Sequence, residues 1–108
     1  MNKYQRLKLA LESTGNGKMK CYGNSMLPIL KSGSLLTFQT AENYDVKDIV
    51  FCKVNGRWID AHLIIKTDKV KGYLIANNHG FENGWTKQIF GRVVEASFKG
   101  SLKRFSVI

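Results

Sequence analysis

The sequence predicts a mostly β domain of about seven strands preceded by one short α-helix. Three observations lead there. One amphipathic stretch stands at the N-terminus, the remainder breaks into short runs rich in β-branched or aromatic residues, and Gly, Asn, Asp or Lys bound those runs. At 108 residues and 44% hydrophobic the chain is one domain with a real core, which excludes wholesale disorder.

Tyr4, Leu7, Leu9, Ala10 and Leu11 follow helical spacing, so a helix is expected over Lys3 to Glu12, stopped by Ser13-Thr14-Gly15-Asn16-Gly17. Such a helix is too short to persist alone and must dock on the rest. It is also too short for a helix-turn-helix, which needs a second helix. Strands are expected at Lys18–Tyr22, Ser34–Gln39, Asp48–Val54, Trp58–Lys66, Gly72–Ala76, Phe90–Ala96 and Leu102–Val107. Asn55-Gly56 between two of them fits a type I′ hairpin turn. No repeat or low-complexity linker interrupts the pattern. Residues 1–108 therefore form one unit: helix and turn over 1–17, a β core over 18–96, and a basic C-terminal strand over 97–108.

Composition narrows the function. No apolar run approaches the roughly 18 to 20 residues of a membrane span, and Met1 to Gly15 lacks the apolar stretch of an ordinary secretory signal. Cys21 and Cys52 are too few for a disulfide framework or an all-cysteine zinc site, which points to a reducing compartment, the cytoplasm. The net charge of +9 favours polyanions or acidic partners. The basic residues are nonetheless spread along the chain, from Lys3 and Arg6 to Lys103 and Arg104, and no DNA- or RNA-reading motif accompanies them.

One segment departs from strand-and-turn logic: Tyr22-Gly23-Asn24-Ser25-Met26-Leu27-Pro28, followed by Lys31-Ser32-Gly33. It holds the chain's one proline. Gly23 permits a sharp turn and Pro28 fixes the backbone just past Ser25, so the hydroxyl can be presented outward with its own amide beside it. Taken singly, Asn-Ser pairs more often make turns or helix caps. A serine needs a base to become a nucleophile, and His62 stands in the strand Trp58-Ile59-Asp60-Ala61-His62-Leu63-Ile64-Ile65. Alternation puts Ile59, Ala61, Leu63 and Ile65 on the core face, leaving Trp58, Asp60, His62 and Ile64 on the other. His79, in a Gly- and Asn-rich stretch, reads as a surface residue, and Cys21 as packing.

Together these residues resemble the LexA-like and signal-peptidase-like serine peptidases. Gly23-Asn24-Ser25-Met26-Leu27-Pro28 is similar to that group's G-x-S-M-x-P signature, whose serine is the nucleophile. Lys31-Ser32-Gly33-Ser34-Leu35-Leu36 and Tyr44-Asp45-Val46-Lys47-Asp48-Ile49-Val50-Phe51 resemble its next two strands. Asp60-Ala61-His62-Leu63-Ile64-Ile65 falls where the group carries its base, a histidine in many small members. Tyr73-Leu74-Ile75-Ala76-Asn77-Asn78, Trp85 and Ile89-Phe90-Gly91-Arg92-Val93-Val94 resemble its closing segment. The resemblance runs from about Lys18 to Glu95 in the group's order.

The resemblance implies a small histidine-type member with a LexA/signal-peptidase-like β fold: a serine endopeptidase with Ser25 as nucleophile and His62 as base, acting on an extended polypeptide. It requires neither metal nor cofactor. The oxyanion would be held by the Ser25 amide with help from Asn24 or Met26. Small size and the group's habits also suggest an accessory peptidase of a phage or mobile element. The chain departs from the pattern at Ser34, Lys47 and Leu63, where aspartate, glycine and arginine are usual, and at Ala76-Asn77, where Gly-Asp is usual. That last change removes the aspartate expected to orient the histidine. Asn77, Asn78, Glu82 and Asn83 are the candidates to replace it, since an asparagine performs this task in papain-like sites. The departures and the charge also motivate an alternative, an inactive basic module of the same fold that binds nucleic acid or an acidic protein.

Overall fold

Asn2 starts the helix. Its side chain accepts the Gln5 N–H at 2.8 Å while Gln5 Oε1 accepts the Asn2 N–H at 3.1 Å, a reciprocal cap. The resulting α1 (Lys3–Thr14) ends at Gly15, whose left-handed φ of 79° lets its N–H reach the Leu11 carbonyl at 2.9 Å. It runs two residues past the expected Glu12 because Gly15 alone is the stop. Leu7 and Leu11 are buried and Leu9 is exposed, so the docking stripe is narrower than the spacing predicts. At Gly17 a β-carbon would lie 2.6 Å from Leu7 Cδ1, so the helix packs directly on backbone there.

The computed structural model describes residues 1–105, and the rest of them form an antiparallel sheet of eight strands. These are β1 (Asn16–Cys21), β2 (Ser34–Gln39), β3 (Ile49–Val54), β4 (Arg57–Asp68), β5 (Gly72–Ala76), β6 (Glu82–Thr86), β7 (Ile89–Phe98) and β8 (Ser101–Arg104). The spatial order is β1-β2-β7-β3-β4-β5-β6, with β8 paired to β7. The mostly β class with one N-terminal helix is as expected. Asn55 and Gly56 both have positive φ, 50° and 78°, as a type I′ turn requires. The additional strand is β6, whose Glu-Asn-Gly-Trp-Thr sequence has little β-propensity. It forms through its pairing with β5 and the bond from Thr86 Oγ1 to the Lys53 carbonyl. The strand expected at Leu102–Val107 is β8, and Ser106 and Val107 lie outside the described residues.

Both faces of the sheet centre are buried, so β3 is apolar almost throughout. The larger cluster joins Leu7 and Leu11 to Met19, Leu36, Phe38, Phe51, Ala61 and Val93, and the smaller joins Tyr44, Val50, Cys52, Val54, Ile64 and Ile75. This corrects the face assignment along β4. Val50 lies opposite His62 and Cys52 opposite Ile59, so Asp60 and Ala61 together face Phe51 in a β-bulge. Trp58, Ala61 and Leu63 consequently pack on the larger cluster, Ile59 and Ile64 on the smaller. Strict alternation cannot register an inserted residue, which flips every side chain beyond it.

Candidate active site

The segment between β1 and β2 is a loop closed at its neck. Gly33 N–H donates to the Cys21 carbonyl at 2.8 Å and Gly23 N–H to Ser32 Oγ at 2.9 Å. Gly23 has φ +113°, a conformation that side chains disfavour. Inside the neck, Leu27 N–H bonds the Asn24 carbonyl at 3.2 Å and Leu30 N–H the Met26 carbonyl at 3.0 Å. Met26 and Leu30 are buried in the larger cluster and anchor the loop, leaving Ser25 half-buried at its rim.

His62 approaches from β4, one residue past the bulge at Asp60-Ala61. Its Nε2 lies 3.1 Å from Ser25 Oγ, across 37 positions of sequence. Its Nδ1 lies 2.7 Å from Asn83 Oδ1. An amide oxygen only accepts, so Nδ1 carries the ring proton and Nε2 turns its lone pair to the serine hydroxyl. Asn83 is itself at an irregularity: Ala76 pairs with Glu82 and Ile75 with Gly84, leaving Asn83 the extra residue of β6. Two bulges therefore aim the two side chains.

A cleft of about 290 Å³ opens beside this contact. Cys21, Tyr22 and Gly23 form one wall, Trp58 to His62 the other, and Met26, Leu30 and Leu36 lie at its base. Lys3 links β1 to β4 nearby, with Nζ 3.1 Å from the Lys20 carbonyl and 3.9 Å from Asp60. Burial, then the charge of Asp60, pushes the Cys21 thiol up to about 12. A thiol and a hydroxyl thus line the cleft in different surroundings. Cys21 is held as a thiol, while Ser25 has an imidazole at hydrogen-bonding distance.

The other sequence candidates lie close by but serve the loop. Asn77 Oδ1 accepts the His79 and Phe81 N–H groups at 2.9 and 3.0 Å, making a turn. Asn78 bonds Leu27 and Ser25 of the loop between β1 and β2, and Glu82 is exposed on β6. Among the described residues the hydrogen-bond partner of His62 Nδ1 is Asn83. Asn24 is exposed and engaged through its carbonyl rather than its side chain. The Met26 side chain is buried, and among the described residues its backbone N–H has no protein acceptor. His79 is exposed, as expected of a surface residue, yet its Nε2 lies 3.0 Å from the Asn24 carbonyl, a contact that nothing in local sequence announces.

Among the described residues no helix is long and apolar enough to cross a membrane, and no cluster of His, Cys, Asp and Glu could hold a metal ion. Neither the models of known protein families nor the curated proteins give a match to this chain.

Proposed function

We propose that the chain is a serine endopeptidase in which Ser25, His62 and Asn83 act as nucleophile, base and orienting residue. The observation that carries this reading is the pair of contacts, 3.1 Å and 2.7 Å, made by the two nitrogens of one imidazole. It accords with the resemblance to the LexA-like and signal-peptidase-like peptidases. Ser25 Oγ attacks a peptide carbonyl as its proton passes to His62 Nε2. The new C–O bond leaves an oxyanion, for which the Ser25 and Met26 amides are the nearest backbone donors. Collapse breaks the C–N bond, and His62 returns the proton to the leaving amine. Water, deprotonated by the same imidazole, then hydrolyses the acyl-enzyme and restores Ser25.

An extended polypeptide suits the cleft. β1 is an edge strand, and β5 pairs with β4 only from Leu63 onward, so among the described residues no strand pairs with the second edge of Trp58–His62, which lines the cleft. A substrate strand lying between these edges would bond to both. Both cysteines are free, as suits a reducing compartment, and we place the protein in the cytoplasm.

The test is labelling by a fluorophosphonate or a β-lactam-type serine probe. Wild type should be labelled, while Ser25→Ala and His62→Ala remain folded and lose labelling and cleavage by about 10³-fold or more. Equal labelling of Ser25→Ala, or no labelling of wild type, overturns the proposal. Salt-dependent binding to nucleic acid by an unlabelled wild type would favour the inactive basic module instead.

A further inference from the structure

We infer that His79, together with the Asn78 backbone, is a positioning element that sets the direction of the Ser25 and Met26 amides; the inference rests on the peptidase reading above. The loop between β5 and β6 is braced by its own bonds, Asn77 N–H to the Phe81 carbonyl at 2.9 Å and the two N–H groups held by Asn77 Oδ1. From this braced turn three donors reach three carbonyls of the nucleophile loop. His79 Nε2 meets Asn24 O at 3.0 Å, Asn78 N–H meets Ser25 O at 3.0 Å, and Asn78 Nδ2 meets Leu27 O at 2.9 Å.

Two of these carbonyls belong to the peptide groups that matter. The Asn24 carbonyl shares a plane with the Ser25 N–H, and the Ser25 carbonyl with the Met26 N–H. Both peptides are trans, the cis bond of this loop being Leu27–Pro28. In a trans peptide the C=O and N–H point to opposite sides. Holding Asn24 O and Ser25 O against the 77–81 turn therefore turns both amides away from it. Among the described residues neither amide has a protein acceptor. Ser25 and Met26 both line the cleft, so the clamp leaves two donors without a protein acceptor beside the nucleophile.

His79 never touches Ser25 Oγ, so its effect is indirect and confined to the oxyanion. Without it the Asn24 carbonyl keeps the 3.2 Å bond from the Leu27 N–H alone, so the Asn24–Ser25 peptide is held from within its own loop only and one donor loses part of its aim. Saturation kinetics of fluorophosphonate inactivation separate this from binding, because the phosphoryl oxygen needs the same donors. His79→Ala should lower the limiting inactivation rate about tenfold, less than the about 10²–10³ of a deleted donor. The half-saturating concentration and Tm should stay at wild-type values. His79→Gln, which keeps a side-chain N–H, should recover most of the rate. A wild-type limiting rate in His79→Ala, a loss expressed in half-saturation or Tm, or failure of the glutamine rescue overturns the inference. Ser25→Ala tells the two readings apart. If it labels like wild type, the peptidase reading falls; if it is silent while His79→Ala labels normally, only the clamp falls.

Discussion

Ser25 and His62 meet at 3.1 Å from regions held by different forces. The β4 side is held by packing. Phe51, opposite the bulge that precedes His62, is fully buried, with the Trp58, Phe90 and Tyr4 rings at 5.5, 5.3 and 6.4 Å. The Ser25 side is a loop with four exposed residues in the stretch Tyr22–Pro28, and polar bonds from its neck and from the 77–81 turn fix its path. Packing is collective and costly to disturb, whereas each hydrogen bond contributes about 1 kcal/mol and can be removed singly. Stability and the geometry of the Ser25–His62 contact should therefore respond to different substitutions.

The largest break comes on the packed side. Phe51→Ala empties a site in the aromatic stack and should cost about 3–5 kcal/mol, a large share of a domain's stability. The urea midpoint measures it directly. A loss under about 1.5 kcal/mol would mean that the sheet is not held by this cluster.

Asn83→Ala tests the polar side. It removes the acceptor at 2.7 Å from Nδ1 and lets the ring proton move to Nε2, where it blocks proton transfer from Ser25. Labelling should slow roughly 10- to 100-fold, about 1.4–2.7 kcal/mol of activation free energy, with little change in the urea midpoint. Asn83→Asp keeps the acceptor and adds a charge that favours the imidazolium, so it should label at least as fast as wild type. Equal rates for the alanine variant and wild type would remove Asn83 from the relay.

The same division governs what the sequence reveals. Gly23, Ser25 and His62 stand out because a turn-forming glycine and a hydroxyl and imidazole in separate segments carry chemical meaning before folding. The helix and most strands are visible because hydrophobic spacing drives their burial. The bulges at Asp60-Ala61 and Asn83 are invisible to periodicity, so the faces of β4 invert partway and Asn83 is one candidate among four. β6 escapes notice because its partners, not its composition, make it a strand. The clamp from Asn78 and His79 lies deepest, since its targets are backbone carbonyls and every residue has one.

A thiol in each region supplies the finest comparison. Burial pushes Cys52, inside the sheet, up to about 12 from an ordinary 9.0, and Cys21 on the cleft wall is raised similarly by burial and then Asp60, with Lys3 offsetting part. An unfolded thiol ionises near 9.0, so between there and 12 the unfolded chain holds fewer protons than the folded one. Their contribution is complete below pH 9 and is lost as pH rises, at up to about 1.4 kcal/mol per pH unit for each thiol. Burial also raises Tyr4 and Tyr44, which adds loss of the same sign above their ordinary 10.0. Urea midpoints from pH 8 to 11 should fall for wild type and fall less steeply for Cys52→Ala. Cys21→Ala should flatten the slope less, because water in the open cleft screens a charge there. A steeper recovery from Cys21→Ala than from Cys52→Ala would reverse the comparison and make the cleft wall the drier of the two.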